Sequence, residues 1–297
     1  MLLLKGHASG KAVYAVAFSP DGARLASCGA DDTVRLWDLS AGRGDVLVRH
    51  PYPHAVAFAP DGKTLAWAVF DGVWLWDLAA GQPLQLSRGD RFTSNVAYSP
   101  DGRLLAGLGL QVYLWDTESL RPLPQQRAFR TGTGGLAFAP DGRTLATAHS
   151  PGMGGGAGEP VGHLIELWGP NTGQERGVLR GHTDRATSLA YSPDGNLVAA
   201  ACGPWLWVWE APGGQVRWRH RIDRQHFQGV AFAPDGRLLA AAHNDGAVRF
   251  YETAGWRECA ALDGQIGQVL DVAFAPDGMR AAAAGRKGKI VLWDIDF

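Results

Sequence analysis

The sequence predicts an all-β fold in which one unit of about 40 residues occurs seven times. Three features of each unit support this prediction: a Pro-Asp-Gly turn, alternating apolar segments on both sides of it, and an aromatic residue near the end of a later segment. The turn prolines are residues 20, 60, 100, 140, 193, 234 and 276. Five of the intervals are 40 to 42 residues long and one is 53.

The Pro-Asp-Gly turn joins strands one and two of each unit. Proline presets φ at the second turn position, aspartate bonds to nearby backbone, and glycine accepts a left-handed conformation at the exit. In the first unit, VYAVAF (Val13–Phe18) precedes the turn and RLASC (Arg24–Cys28) follows it. Both segments alternate as strands do.

Strand three of each unit contains the aromatic position, usually followed by an acid. The seven copies are VRLWD (34–38), VWLWD (73–77), VYLWD (112–116), IELWG (165–169), LWVWE (206–210), VRFYE (248–252) and IVLWD (290–294). A shorter, more polar fourth strand follows, for example DVLVR (Asp45–Arg49) or QVRWR (Gln215–Arg219). No segment shows helical periodicity.

The first unit resembles the WD-repeat β-propeller family in its segments GHASGKAVYAVAFSPDG and DDTVRLWDL. The resemblance covers the whole chain in seven units. It implies a seven-bladed β-propeller of four-stranded antiparallel blades around a central channel. The seventh unit stops just after its third strand, whereas Leu2–Lys5 lies where a fourth strand precedes Gly6-His7. As in the family, we expect the N-terminal strand to complete blade seven.

We therefore expect one closed domain over residues 1–297 rather than a fragment. The expected blades cover approximately residues 6–50, 51–87, 88–127, 128–180, 181–220, 221–263 and 264–297, with strand 2–5 added to the last.

Composition favours a soluble protein without a nucleic-acid or membrane partner. The chain is 46% hydrophobic and 19% charged with a net charge of −1, and no apolar stretch approaches the length of a spanning helix. Cys28, Cys202 and Cys259 are too few and too far apart for a disulfide framework, which favours free thiols and the cytoplasm. Arginine outnumbers lysine, and alanine and glycine are abundant, which favours a bacterial host. We expect a monomer.

The resemblance also implies a buried hydrogen-bond network that includes a histidine, a strand-two serine or threonine, an aspartate and the tryptophan. Blade one matches at every point, with His7, Ser27, Asp31 and Trp37. His7 and Asp31 could also be interpreted as a catalytic pair, but the structural role explains them.

The network is incomplete in other blades. Blade five keeps His182 and Trp209 but has Gly203 in the aspartate position, and blade six keeps Asp245 with Tyr251 in the tryptophan position. Apolar packing is expected to stabilise these blades instead. Trp205, Trp207 and Trp209 alternate along one strand and so share one face. That face is either a stacking platform for a ligand or, as we expect, part of the packing between blades.

Catalytic chemistry is not evident. The innermost strands contain AVAF, AVAF, NVAY, GLAF, SLAY, GVAF and DVAF, so Asn95 and Asp271 are isolated polar residues. The sequence has no G-x-S-x-G, H-E-x-x-H or P-loop motif. We predict a non-enzymatic protein with no cofactor and no metal. A propeller lyase or hydrolase remains an alternative and would require bound metal or measurable turnover.

The resemblance implies that a protein or peptide partner binds the face formed by the strand 4–1 and strand 2–3 loops. The candidate contact residues at the strand-one entrances are Tyr14, Tyr52, His54, Phe92, Arg185, His226 and Gln228. Arg88, Arg91 and Arg130 near the same entrances would add a preference for an acidic ligand. The leading hypothesis is a scaffold; the alternative is a sensor or regulatory propeller that acts with a neighbouring or fused enzyme such as a kinase or protease.

The long interval contains HSPGMGGGAGEPVGH, residues 149 to 163. GMGGGA fits the loose dinucleotide pattern, but that motif needs a helix at its end, and Gly-Glu-Pro follows instead. A metal held by His149 and His163 would have only Glu159 as a further ligand. We therefore interpret the stretch as a strand 2–3 loop of blade four, with Met153 and Glu159 as further candidate partner contacts.

Overall fold

A computed structural model of the chain describes residues 1–88, 93–109, 111–124, 134–149 and 162–297, without the side chains of 87, 88 and 149. The described residues form seven antiparallel sheets in which neighbouring strands follow one another in sequence, apart from the N-terminal strand. Among them no helix is long and apolar enough to cross a membrane.

Blades one and two have the four strands that the repeats predict, and three strands of blade three are described. Blade one contains β2 (Val13–Phe18), β3 (Arg24–Gly29), β4 (Thr33–Asp38) and β5 (Arg43–Arg49). Blade two contains β6 (Ala55–Phe58), β7 (Thr64–Val69), β8 (Gly72–Asp77) and β9 (Gln82–Arg88). Blade three contains β10 (Asn95–Tyr98), β11 (Leu104–Leu108) and β12 (Val112–Asp116). In the fourth-strand position of blade three, the described residues form only a bridge between Trp115 and Pro122.

Blades four to seven complete the ring. Blade four contains β13 (Leu136–Phe138), β14 (Leu145–His149), β15 (Leu164–Trp168) and β16 (Glu175–Leu179). Blade five contains β17 (Ala186–Tyr191), β18 (Leu197–Cys202), β19 (Trp205–Glu210) and β20 (Val216–Arg221). Blade six contains β21 (Phe227–Phe232), β22 (Leu238–His243), β23 (Ala247–Glu252) and β24 (Arg257–Asp263). Blade seven contains β25 (Val269–Phe274), β26 (Arg280–Gly285), β27 (Lys289–Asp294) and β1 (Leu2–Lys5).

The N-terminal strand closes the ring, as the sequence predicts. β1 pairs antiparallel with β27, with Leu2 opposite Leu292 and Lys5 opposite Lys289. Leu4 is fully buried and packs with residues of blades seven and one, including Trp37. The innermost strands contact one another around the whole ring, because β25 contacts β2 as well as β21.

The Pro-Asp-Gly turns form a second ring at one face of the propeller, which we call the turn face. Their seven glycines have φ between 66° and 75°, the left-handed region that favours glycine. A Cβ on Gly62 would lie 3.7 Å from Cδ of Pro20, and a Cβ on Gly22 would lie 3.6 Å from Cδ of Pro276. Each turn therefore packs against the turn of the preceding blade, and blade one against blade seven.

The core consists of seven clusters, each between two adjacent blades. The aromatic residue of strand three contacts the preceding blade, as Trp37 contacts blade seven and Trp209 contacts blade four. Gly44 lies opposite Trp37 on β5, and a Cβ there would overlap the indole ring. The repeated tryptophan thus stabilises the ring by filling the spaces between blades.

Candidate functional site

In blade one, a chain of hydrogen bonds joins the tryptophan, serine, histidine and aspartate. The Trp37 indole Nε1–H donates to Ser27 Oγ at 2.8 Å, and Ser27 Oγ lies 2.7 Å from His7 Nε2. His7 Nδ1 lies 2.9 Å from Asp31 Oδ1, and Thr33 donates its hydroxyl to the same carboxylate. All four side chains are satisfied when the His7 proton is on Nδ1, so that Ser27 donates to Nε2.

Burial lowers the pKa of His7, although the Asp31 carboxylate opposes this effect. Burial alone would raise the pKa of Asp31, but hydrogen bonds from His7, the Ala8 N–H and Thr33 lower it to about 2. Both shifts favour a neutral imidazole beside a carboxylate. The two side chains are only 1% and 6% exposed, so a substrate has no access to the pair in this arrangement.

The strand 2–3 and strand 4–1 loops lie together at the end of the ring away from the turns, which we call the loop face. Backbone hydrogen bonds join the two kinds of loop at several blades, as from Ala30 N–H to Ala12 carbonyl at 2.8 Å and from Arg286 N–H to Gln268 carbonyl at 3.0 Å. Where both kinds of loop are described, they therefore support each other on this face.

Tyr52 is a predicted contact residue with an exposed side chain, at 65%. It has a φ of 54°, an uncommon conformation for a residue with a Cβ. Its N–H donates to Asp32 Oδ1 at 3.0 Å, and Asp32 has a φ of 58° in the neighbouring strand 2–3 loop. Two strained residues thus hold an aromatic side chain in solvent, a feature that favours a functional role.

Phe70 is exposed to a similar extent, at 62%, in the strand 2–3 loop of blade two. Tyr52 lies in the loop that enters this same blade, so the two aromatic residues flank blade two on the loop face. Phe70 is not among the predicted contacts, because blade four is the only blade whose strand 2–3 loop supplied any of them. Its position directly before Asp71-Gly72, a turn signal between two strands, would have indicated an exposed site.

Tyr14 and His54 contact each other across the boundary of blades one and two. Their rings are stacked with centroids 5.7 Å apart, and both side chains are partly buried. Burial lowers the pKa of His54. Tyr14 and His54 therefore form a partly buried contact between two blades, whereas the exposed residues Tyr52 and Phe70 form what we call the aromatic surface of blade two.

Three other predicted contact residues lie on blades five and six. Arg185 is exposed directly before β17. His226 is exposed. Its backbone N–H donates to Asn244 Oδ1 at 3.0 Å, and its carbonyl accepts the Asn244 N–H at 3.1 Å. The Gln228 carbonyl accepts the Thr187 hydroxyl at 2.9 Å. These residues are separated from the aromatic surface of blade two along the ring.

The remaining predicted contacts lie outside the described residues. They are Phe92, Arg91, Arg130, Met153 and Glu159. The strands that flank the glycine-rich stretch are described: β14 pairs with β15, with His149 opposite Leu164. Both strands belong to blade four, as the sequence predicts.

Asp271 connects blades seven and one on the innermost strands. Its carboxylate accepts the Val16 N–H at 3.0 Å from blade one and the Val272 N–H at 2.9 Å from its own strand. Burial raises its pKa to about 6, in spite of the two donors. Its polar contacts are with backbone, which favours a role in joining the first and last blades.

The tryptophans of β19 share one face, as predicted. Trp207 and Trp209 are stacked with centroids 5.4 Å apart, and both pack with blade four. Trp205 continues the row at 5.8 Å from Trp207 and is only partly buried. Two of the three rings therefore fill the space between blades, while Trp205 reaches the surface.

No group of three His, Cys, Asp or Glu side chains in the described parts of the chain is placed to hold a metal ion. Cys28 and Cys202 are buried, Cys259 is exposed, and all three are free thiols. Burial raises the pKa of each thiol, most strongly at Cys28 and Cys202.

The geometry defines a seven-bladed β-propeller with a structural hydrogen-bond network and a loop face that carries exposed aromatic residues. The family model "WD domain, G-beta repeat" matches residues 1–38, 173–210, 221–252 and 256–294. With the seven-bladed ring, these matches show that the chain belongs to the WD-repeat family.

The chain is similar to several curated proteins of this kind. It is 34% identical over 137 residues to "Periodic tryptophan protein 2" of Arabidopsis thaliana, which covers 38% of this chain and 15% of that protein. It is 28% identical over 156 residues to "Small ribosomal subunit protein RACK1" of Caenorhabditis elegans, with 46% and 47% covered. It is 25% identical over 200 residues to "Target of rapamycin complex subunit LST8" of Mus musculus, with 64% and 58% covered.

In each case the matched region is less than two thirds of the relative's own length. All three relatives are eukaryotic and give no support to the bacterial origin that the composition favours.

Proposed function

We propose that this protein is a non-catalytic scaffold that binds a protein or peptide partner on its loop face. The observation that carries the proposal is the exposure of Tyr52 and Phe70 on both sides of blade two, with Tyr52 held in a left-handed conformation by Asp32. Aromatic residues are enriched in protein interfaces, and tyrosine is among the residue types that contribute most to the binding energy there.

The relatives favour a role in an assembly. Two of them have names that place them in a larger assembly. One is named as a protein of the small ribosomal subunit and the other as a subunit of a target of rapamycin complex. By analogy, we propose that this chain acts as a propeller module in a larger assembly in the cytoplasm. The buried state of the His7–Asp31 pair supports a non-enzymatic role, because this pair, which resembles part of a catalytic dyad, has a structural task.

The proposal is tested by affinity capture with the wild type and two variants of the chain. Tyr52→Ala combined with Phe70→Ala removes the exposed aromatic surface, and Met279→Ala is the matched control because Met279 is 62% exposed next to a Pro-Asp-Gly turn on the turn face. We expect partner recovery from the native host to fall at least about tenfold in the double variant, as for loss of hot-spot residues, and to stay unchanged in the control.

Both variants should melt at the wild-type temperature, because exposed side chains contribute little to stability. Equal partner recovery by the double variant and the wild type would remove the loop-face aromatic surface as the binding site.

A further inference from the structure

The outermost strand of blade five, β20, carries three arginines: Arg217 forms an ion pair with Glu210 at 4.0 Å, and Arg219 and Arg221 lie on one face. Among the described residues β20 pairs only with β19, so its other edge has no neighbouring strand. Arg219 lies opposite Trp207 and Arg221 lies opposite Trp205. Because residues two apart on a strand point to the same side, both guanidinium groups lie over the tryptophan row.

The tryptophan rings hold the two guanidinium groups in place. Arg219 Cζ lies 5.3 Å from the centre of the Trp205 ring and 5.4 Å from that of Trp207, and Arg221 Cζ lies 5.7 Å from that of Trp205. These are cation–π distances. A guanidinium that is stacked on an aromatic ring keeps its fork of N–H donors and loses less side-chain entropy when it binds a carboxylate.

The positive charges of Arg219 and Arg221 are less neutralised by acidic neighbours than the charge of Arg249 is. In blade six, Arg249 contacts Asp245 at 2.6 Å and Glu258 at 3.2 Å. In the described residues Arg219 has no ion pair, and the one ion pair of Arg221 is with Asp223, at 3.4 Å, whose side chain is 79% exposed. An exposed pair of this kind contributes little, so Asp223 is readily displaced by another carboxylate.

We propose that the outer edge of blade five binds an acidic peptide in extended conformation. The peptide backbone would pair with the open edge of β20, and carboxylates two residues apart, about 7 Å along a strand, would meet Arg219 and Arg221. Like charges disfavour pairing of this edge with a second copy of itself, whereas an acidic strand gains from the same charges. A peptide also matches the row of backbone donors and acceptors, which a nucleic acid does not.

This site lies on the circumference of the propeller and shares no residue with the loop-face surface of blade two. A result at either site therefore leaves the other proposal standing. The Trp205 ring, partly buried beneath Arg219 and Arg221, is a positioning residue for the two arginines.

The test is a titration of the full chain against labelled ten-residue peptides, followed by fluorescence anisotropy. One peptide carries glutamate at alternate positions, and its isomer has the same composition with the glutamates contiguous. The variant is R219Q with R221Q, and the matched control is R103Q with R237Q, two exposed arginines beside Pro-Asp-Gly turns. We expect the alternating peptide to bind the wild type and the control equally, and the R219Q/R221Q affinity to be at least about tenfold lower.

A charge reversal provides an independent test of contact. The R219E/R221E variant should lose the glutamate peptide and bind a peptide with lysine at alternate positions. The Tyr52→Ala variant should bind the glutamate peptide as the wild type does. The proposal is overturned if the wild type shows no saturable binding, if both double arginine-to-glutamine variants lose affinity equally, or if the contiguous isomer or a single-stranded oligonucleotide binds as tightly.

Discussion

Blades one and five have the same Gly-His pair before strand one and the same tryptophan near the end of strand three, yet they are stabilised differently. In blade one, Trp37 Nε1–H donates to Ser27, which continues the network to His7 and Asp31. In blade five, alanine occupies the serine position, and Trp209 Nε1–H donates to the Arg180 carbonyl at 2.9 Å. His182 is buried without a hydrogen-bond partner for either ring nitrogen among the described residues.

Aromatic packing replaces the polar network in blade five. Arg35 lies opposite Ser27 in blade one, and the corresponding residue in blade five is Trp207, opposite Ala200. Trp207 stacks on Trp209, and His182 contacts the Trp209 ring edge-on at 5.5 Å. The comparison indicates that a blade needs a filled interface with its predecessor, which either a satisfied network or a row of rings provides.

The largest effect is expected when the network of blade one is broken. Ser27→Ala leaves the Trp37 indole N–H and His7 Nε2 buried without a partner, and each such group costs about 1–3 kcal/mol. We expect the free energy of unfolding to fall by about 2–4 kcal/mol, measured by urea denaturation at pH 7.

Ser9→Ala is the control for this substitution, because Ser9 is an exposed serine in the loop before the same blade. It should change the free energy of unfolding by less than about 0.5 kcal/mol. If the two serine variants unfold at the same urea concentration, the network contributes nothing to stability, and the tryptophan of blade one is held by packing alone.

The sequence predicts the repeated features of the molecule and misses those that depend on how strands and loops align with one another. The turns, the closing strand and the four members of the blade-one network follow from spacing and from the resemblance. No local signal indicates that Trp209 donates to Arg180, or that Arg219 lies over Trp205, because both depend on register between neighbouring segments. The exposure of Phe70 depends on how a short loop leaves its blade.

The second prediction concerns the loss of stability in acid, and it depends on His182, the histidine of the Gly-His pair of blade five. Burial and the neighbouring His163 lower the pKa of His182 to about 4, and Asp184 opposes them only in part. In the unfolded chain a histidine pKa is about 6.5. The unfolded state therefore takes up a proton below this pH that the folded state does not, so stability is complete above pH 6.5 and is lost as the pH falls towards 4.

For His182 this loss amounts to about 2 kcal/mol between pH 7 and pH 5. His182→Gln should remove it, so the variant's free energy of unfolding should change less with pH than that of the wild type. His226→Gln, which replaces an exposed histidine, should keep the wild-type slope. Identical slopes for all three proteins would mean that His182 is protonated as easily in the folded state as in the unfolded one.

The smallest effect is expected when the serine of blade one is introduced into blade five. Ala200 is fully buried at the position that corresponds to Ser27. In Ala200→Ser, the new hydroxyl gains a bond to His182 worth about 1 kcal/mol, but it must fit beside stacked rings, which costs a similar amount. We therefore expect urea denaturation at pH 7 to show a change in the free energy of unfolding below about 1 kcal/mol.

A loss above about 2 kcal/mol would mean that the ring packing leaves no room for the network, so that the two ways of stabilising a blade exclude each other. Because a serine that donates to His182 favours the neutral imidazole, the acid sensitivity of this variant should remain at least as large as that of the wild type.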